Sequence, residues 1–393
     1  LYASSYLSRL KVLDVLQQKV SFGSGRKVFR AALIVVQLVI FCAFVSSTLI
    51  IRSQYRYALT KDPGHHHQEI LQINLPRGFG AYHSLLEEIK SLPEVISASG
   101  AMDGLPMGGW MTFMHPHFQN QEEKVKLEGF AVDYGLLETM GLTLLEGRAF
   151  SRDFGSDLEG SVILNETAVR ELGIEDPLGQ YLADSTRVIG VVTDFNLHSI
   201  HSEIPPLVIS MTDKYLHHIL VHYHPGTLKR LIPKLEDQWG KLENDQPLNF
   251  STIEEIFRDT YAAERNLSTI FSLASLFVLL IAAFGLFGLT LFVARSRTHE
   301  IGIRKVFGSS GEAIIFSFLR SHFLRVLVAE MISIPLTIYF LNKWLNNFPY
   351  RVDIAWWVFA IAFLIAALVV LATVYIQSRK ASRVNPVEAL RYE

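Results

Sequence analysis

The sequence predicts an α-helical membrane protein with four transmembrane helices and a large α+β extracytoplasmic domain inserted between the first and second. Three observations carry that expectation. Residues 31–51, 266–294 and 355–378 contain no charged side chain, and each run is long enough to cross a hydrocarbon core at about 1.5 Å per residue. Basic residues flank the first run on its N-terminal side (Arg26, Lys27, Arg30) and the other two on their C-terminal sides (Arg295, Arg297, Arg304, Lys305; Arg379, Lys380, Arg383). A consistent positive-inside topology therefore needs one more crossing between residues 311 and 355. Between the first two spans, short stretches of alternating hydrophobicity take turns with stretches of helical spacing, which is the pattern of an α+β domain.

The fourth crossing falls to residues 326–341, a shorter apolar run that carries Glu330 and Pro335. The resulting topology places both termini and the segment 295–311 in the cytoplasm and residues 52–265 outside. Arg52, Arg56 and Lys61 oppose that orientation, but long translocated domains obey the charge rule weakly. Hydrophobic residues make up 50% of the 393-residue chain and charged ones 19%, a greasy balance for a soluble protein. A net charge of -2 gives no electrostatic reason to expect nucleic acid. The single cysteine, Cys42, lies in the first span, so the outer domain is expected to fold without disulfides. The start at Leu1, with neither methionine nor signal peptide, suggests a fragment of something longer.

Residues 1–30 mix Val12, Leu13, Val15 and Leu16 with Lys11, Lys19, Arg26 and Lys27, the composition of a cytoplasmic linker with a membrane-surface helix. After the span, Leu71, Ile73 and Leu75 alternate with Gln72 and Asn74 as a half-buried strand. Leu85, Leu86, Ile89 and Leu92 then follow helical spacing up to Pro93. Residues 100–109 are rich in Gly, Pro and Met and are expected to be loop, with a break between two lobes near residues 100–129. Asp133 is placed to cap a short helix ended by Gly141, before strand resumes over 142–145. Residues 162–164 are strand-like, and Asn165 precedes a helix carrying Ala168, Val169 and Leu172 and closed by Gly173. Further strands are expected over 188–192, 207–210 and 219–222, with an amphipathic helix over 228–242. From Ile253 the helical pattern has no Pro or Gly before the second span, so one stalk helix is expected over 253–294, roughly 60 Å long at the α-helical rise. The rest of the chain divides into a connector (295–311), a surface helix leading into span three (312–342), an outer loop (343–354), span four (355–378) and a cytoplasmic tail (379–393).

Treated as a helix, the connector sets Arg297, Glu300 and Arg304 on one face and Ile303, Val306 and Phe307 on the other. Gly308 is a natural stop, and Ser309 with Glu312 fits a capping box for the next helix. Such a helix suits docking into a groove on a soluble partner. The same charges also satisfy the simpler role of an orientation anchor.

EIGIRKVFGSS, preceded by FGLFGLTLFVARSR, resembles the signature of the MacB/FtsX-type permeases of ABC transporters. NKWLNNFPYRVDIAWWVF resembles that family's short outer loop, and NPVEALRYE its C-terminal tail. DYGLLETMGLTLLEGRAFSRDFGSD, SVILNETAVRELG and VIGVVTDFNLHSIH resemble its extracytoplasmic domain. Residues 1–30 look like the linker joining the halves of eight-span members common among Bacteroidetes-like bacteria, which would make this chain a C-terminal four-span half.

The resemblance implies a bacterial inner-membrane subunit with cytoplasmic termini and a periplasmic MacB-like domain. ATP hydrolysis by a separate cytoplasmic ABC ATPase would move that domain. Glu300, Gly302, Ile303, Arg304, Lys305 and Gly308 match the helix that contacts the ATPase, which Arg297, Val306 and Phe307 complete, and Pro386, Glu388 and Leu390 match the tail. Further implied partners are a second permease half or a homodimer mate, and a periplasmic adaptor. The expected function is extrusion of a peptide, antibiotic, lipoprotein or other amphiphile. The alternative is an FtsX-like regulator that activates a cell-wall hydrolase.

No glycine-rich loop has the spacing of a phosphate cradle, so ATPase activity is expected in a partner and no cofactor is expected. His65, His66 and His67, the pair His198 and His201, and the pair His222 and His224 are spaced as zinc ligands can be, but no carboxylate or cysteine is arranged with them. Solvated surface histidines are preferred and no metal is assigned. Neither GxSxG nor HExxH occurs. Within the spans, Glu330 is the one ionisable group at depth. A structural contact, with Gln37 or a second subunit, is favoured over a proton relay because the other spans offer no acidic or histidine partner.

Overall fold

The computed structural model describes residues 24–66, 68–106, 112–114, 126–182, 186–199, 201–242, 246–296 and 311–382. The chain forms two compact units, one of Leu1–Gln54, Glu264–Leu345 and Val352–Glu393, the other of Tyr55–Ala263 and Asn346–Arg351. The first helix, α1 (Ser24–Thr60), contributes to both. It continues well past the expected end of span one because Arg52, Arg56 and the residues around them are acceptable helix formers, and charge ends a span without ending a helix.

The sheet domain then runs β1 (Ile70–Asn74), α2 (Tyr82–Lys90), β2 (Val95–Ala101), β3 (Thr112–Met114), β4 (Lys126–Val132), α3 (Leu136–Met140) and β5 (Leu144–Gly147). It continues with α4 (Asp157–Gly160), β6 (Ser161–Asn165), α5 (Glu166–Glu171), β7 (Tyr181–Leu182), β8 (Thr186–Val192) and β9 (Leu207–Met211). β10 (His218–Tyr223), α6 (Leu228–Gly240), β11 (Asn249–Thr252) and α7 (Ile253–Thr260) complete it. The described strands form one mixed sheet in the order β11-β1-β10-β2-β4-β9-β6-β8-β5, with β3 on β4 and β7 on β8. β4 with β9 and β6 with β8 are parallel, and the remaining pairs are antiparallel. The sheet narrows at the junction of β2 and β4, where Ala101 opposite Val132 is the ladder pair. The two lobes expected on either side of residues 100–129 are not separate here, since one sheet runs through this junction within a single compact unit.

Strand alternation distributes the core over both faces. Leu71 and Ile73 of β1 and Ile219 and Val221 of β10 pack with Leu85, Leu86 and Ile89 of α2 and Leu231, Leu235 and Trp239 of α6. Their neighbours Ile70 and Leu220 face the opposite way, into a central core with Phe130, Val132, Met140, Ile163 and Ile209. At the far end, Val162 and Leu164 of β6 join Leu127, Ala168, Leu172 and Val188. Each such fully buried aliphatic side chain contributes roughly 1.5–3 kcal/mol.

Local signals act where the backbone requires them. Asn165 caps α5 by accepting from the Ala168 amide at 2.9 Å, and its Oδ1 also accepts from Leu207 N of β9 at 2.8 Å. Gly141 and Gly173 end their helices at φ of 65° and 64°. Asp133 does not cap α3, whose N-cap is Gly135 without a side-chain bond. Its carboxylate instead accepts from Tyr134 N at 2.7 Å and from the buried Tyr82 hydroxyl at 2.6 Å.

The helical unit contains α8 (Ala262–Ser296), α9 (Gly311–Leu345) and α10 (Trp356–Ser382) beside most of α1. Apolar windows long enough to span a bilayer lie in Ala31–Thr60, Ala262–Gly285, Ile315–Leu345 and Trp356–Gln377. The chain is thus an α-helical membrane protein with four transmembrane helices and an α+β domain between the first and second. Ile34, Leu38, Phe41 and Cys42 of α1 pack with Val326 and Ala329 of α9 and Ala362, Ala366 and Val370 of α10.

Two further expectations are corrected. The stalk over 253–294 is not one helix: α7 ends at Thr260 and α8 begins at Ala262, with Tyr261 between them at φ -94° and ψ 21°. Tyr261 is 1% exposed, so burial of its ring, rather than a glycine or proline, sets that backbone. The surface helix and span three form one uninterrupted helix, α9. No residue between Glu312 and Pro335 is Gly or Pro, and nothing there turns the chain.

Candidate functional site

The connector is bounded by the end of α8 at Ser296 and the start of α9 at Gly311. Arg297, Glu300, Gly302, Ile303, Arg304, Lys305, Val306, Phe307 and Gly308 lie outside the described residues, as do Pro386, Glu388 and Leu390 of the tail.

Glu330 is described and is buried at 6% exposure. It lies against the Cys42 thiol of α1. Neither carboxylate oxygen has a well-formed hydrogen bond among the described residues. Gln37 is not its partner: the Gln37 amide lies over Gly285 of α8, about 3.0 Å from where a Cβ would stand. A glycine at 285 lets that amide approach, and an alanine would press on it.

A group of aromatic contacts surrounds the places where the chain enters and leaves the sheet domain. At the entry, Lys61 follows the last turn of α1 and sets its ammonium 2.9 Å above the centroid of the Tyr350 ring. Burial lowers the pKa of that ammonium, and an aromatic face compensates for lost water as a cation–π partner. At the exit, Tyr261 stacks on Phe257 of α7, with centroids 6.5 Å apart. His201 lies 6.0 Å from Tyr261 and 4.6 Å from Phe348. Phe348 and Tyr350 belong to the loop joining α9 to α10, which groups with the sheet domain. Beside these contacts lies a cavity of about 220 Å³ lined by Ala58, Lys61, His198, Ile204, Phe257 and Tyr261 among others.

Residues 272–386, from α8 through α10 into the tail, match the family of the FtsX-like permease C-terminal domain. MacB of Sodalis glossinidius, a macrolide export ATP-binding/permease protein, is 27% identical over 297 residues, covering 70% of this chain and 45% of that protein. MacB of Campylobacter jejuni is 22% identical over 350 residues, covering 82% and 53% respectively. Along most of its length the chain is similar to the MacB/FtsX-type permeases of ABC transporters.

The permease spans about half the length of the curated relatives it matches. Among solved structures it is similar to the periplasmic region of MacB from Actinobacillus actinomycetemcomitans. That match has TM-score 0.36 and 16% identity, covering 51% of this chain and 97% of that one. The extracellular domain of the transporter YknZ from Gram-positive bacteria is similar at TM-score 0.33 and 12% identity, covering 46% and 97%.

The histidines of the permease separate. His198 Nε2 lies 2.7 Å from Glu128 Oε2, a carboxylate partner that linear spacing does not reveal. His201 goes to Phe348 instead. His65 is buried between the carbonyls of His66 and Asn196. His66 packs beside His222, their rings 4.8 Å apart, and His67 lies outside the described residues. Among the described residues no three of His, Cys, Asp or Glu converge on one point. Sequence reasoning named Lys61 only as a charge opposing the topology and His201 only as a possible metal ligand, and it missed Tyr261, Phe348 and Tyr350. A cue was available only for the loop, whose run Phe348, Pro349, Tyr350 puts aromatics where a simple connection would be polar.

Proposed function

We propose that this permease is the transmembrane subunit of a transporter in the bacterial inner membrane, with both termini cytoplasmic, driven by a separate ABC ATPase. The observation that carries this reading is the combination, in one chain, of FtsX-like permease helices over 272–386 with a sheet domain inserted after the first span. The ATPase closes on ATP and displaces the connector. Ile303, Val306 and Phe307 enter a groove on it while Glu300 and Arg304 fix the helix. The displacement reaches the sheet domain through α8, and cargo is expelled on the periplasmic side.

The spans carry few polar groups with which to line an aqueous path, which supports expulsion from the outer side over conduction. The cargo class is a peptide, antibiotic or other amphiphile, and the macrolide export named for the relatives falls within it. A second permease half or a second copy completes the assembly, with a periplasmic adaptor beyond it. The test is co-purification of an ATP-binding subunit from detergent extracts with the wild-type chain, Glu300→Lys and Arg304→Glu. Recovery is expected to fall about tenfold or more in both variants, a loss of roughly 1.4 kcal/mol or more. Undiminished recovery in both would sink the coupling assignment.

A further inference from the structure

The loop Asn346–Arg351 does more than join two spans. The Arg351 guanidinium donates to the Asn346 side chain, which closes the loop end to end. The next residue, Val352, donates its amide to Gln54 Oε1 of α1 at 2.9 Å. Between those fixed ends, Phe348 is 3% exposed and lies against His201, which in turn lies against Tyr261 at the break between α7 and α8. Two residues on, Tyr350 lies under the Lys61 ammonium, one residue beyond the end of α1. The two aromatic rings therefore hold different chain segments. Tyr350 holds the strand of chain entering the sheet domain, and Phe348, through His201, holds the segment leaving it. Through Lys61 and Tyr261 the same contacts form part of the wall of the 220 Å³ cavity.

We propose that this loop is a clasp that couples α9 and α10 to the sheet domain by gripping its entry and exit points. The domain is then driven by all four spans instead of only the two that run into it. The loop is covalently continuous with α9 and α10, so a shift of either helix is passed to both grip points at once. Tyr261 is where such a shift has somewhere to go, because its backbone already departs from the helix on either side. The clasp rests on the ATPase-driven reading for its role in transport, but its gripping geometry does not.

Two measurements on the full-length permease separate these parts. Hydrogen exchange on the permease in detergent compares the wild type with the double variant Phe348→Ala, Tyr350→Ala. Exchange is expected to rise about tenfold over residues 61–64 and 257–262 while β6 and β8 keep their protection. Spin labels on Tyr215→Cys and Trp356→Cys, both exposed in the wild type, then report sheet-domain displacement on ATP binding in the complex with its ATPase. The nucleotide-dependent change is expected to fall about threefold or more in the double variant, with ATP hydrolysis within about twofold of wild type. If the alanine variant does not fold, Phe348→Leu keeps the bulk and loses the ring stack, and an intermediate rise in exchange is expected. Wild-type exchange in either folded variant overturns the clasp, as does an undiminished displacement. If the wild type shows no displacement with nucleotide, the ATPase-driven reading fails and the exchange data alone decide the clasp.

Discussion

Asp157 and Glu330 are both carboxylates in apolar surroundings, and they are held in opposite ways. Asp157, in the sheet domain, is 0% exposed and receives both nitrogens of the Arg148 guanidinium at 2.6 and 2.7 Å, with the Ser151 amide at 3.0 Å. Glu330, in the helical unit, is nearly as buried; the Cys42 thiol lies beside it, and neither carboxylate oxygen has a well-formed hydrogen bond among the described residues. Ser46, Ser333 and Thr337 share its situation: they are buried, and their hydroxyls have no hydrogen-bond partner among the described residues. The sheet domain also holds a buried hydroxyl, that of Thr139, without a partner among the described residues, so the contrast lies in the fully buried charge of Asp157, which is bonded and thereby specifies geometry. Helices in a bilayer gain by close approach, and small polar side chains are tolerated there for their size. A bonded buried charge in the sheet domain is therefore expected to be costly to change, and a buried polar group in the spans cheap.

The largest effect is expected at Asp157. Asp157→Asn leaves Arg148 facing a neutral amide and is expected to destabilise the sheet domain by about 3 kcal/mol, the low end for breaking a buried pair, because the Arg148 side chain is 34% exposed and water reaches it. Urea denaturation in detergent, followed by hydrogen exchange in β6 and β8, measures it. A loss below about 1 kcal/mol would place this pair among ordinary surface bridges. Burial opposes ionisation of Asp157, but the Arg148 and Ser151 bonds prevail and hold its pKa below the usual value. The pair's contribution is accordingly complete above about pH 4 and is lost as pH falls through the lower folded value.

A second test uses a half-buried imidazole in the same domain. Burial, with His217 nearby, lowers the pKa of His218 from 6.5 to about 4. The ring bonds Asn74 Oδ1 at 2.9 Å through Nδ1. The unfolded chain takes up this proton near pH 6.5 and the folded chain only near 4. Acidification across that window is expected to cost about 3 kcal/mol of stability. Denaturation midpoints at pH 7 and pH 4.5 measure the loss, and His218→Asn should flatten it. An unchanged pH slope in that variant would assign the acid sensitivity elsewhere.

Much of this contrast was legible in the sequence, for physical reasons that also mark where legibility stops. Charge-free runs exposed three spans directly, and the fourth followed from the sign of the flanking loops. Alternation at Leu71 and Ile73 revealed β1, and Asn165, Gly141 and Gly173 marked their helix ends because each has a local backbone task. The break at Tyr261 left no trace, since a buried tyrosine stacked on Phe257 sets it through tertiary packing. β4 was missed because Glu128 and Gly129 interrupt its apolar residues. The partners His201 and Phe348, or His198 and Glu128, are far apart in the chain and no local pattern joins them. For the connector, the sequence supplied charge placement and a family resemblance, and its residues lie outside those described.

The smallest effect is expected at Glu330. A charge at this depth would be expensive and no well-formed hydrogen bond among the described residues offsets it, so what the bundle uses is the side chain's volume against Cys42, whose surroundings are the apolar residues of α1, α9 and α10. Glu330→Gln keeps that volume and is expected to change stability by less than about 1 kcal/mol, as volume-conserving core exchanges usually do. Assembly with the proposed ATPase should be unaltered. Glu330→Ala, which leaves a cavity between α1 and α9, should cost about 2–3 kcal/mol. Thermal unfolding in detergent and co-purification yields distinguish the two. If the glutamine variant assembles normally yet loses transport at every pH, Glu330 acts through its ionisable group. The difference between it and Asp157 would then be one of function as well as of solvent.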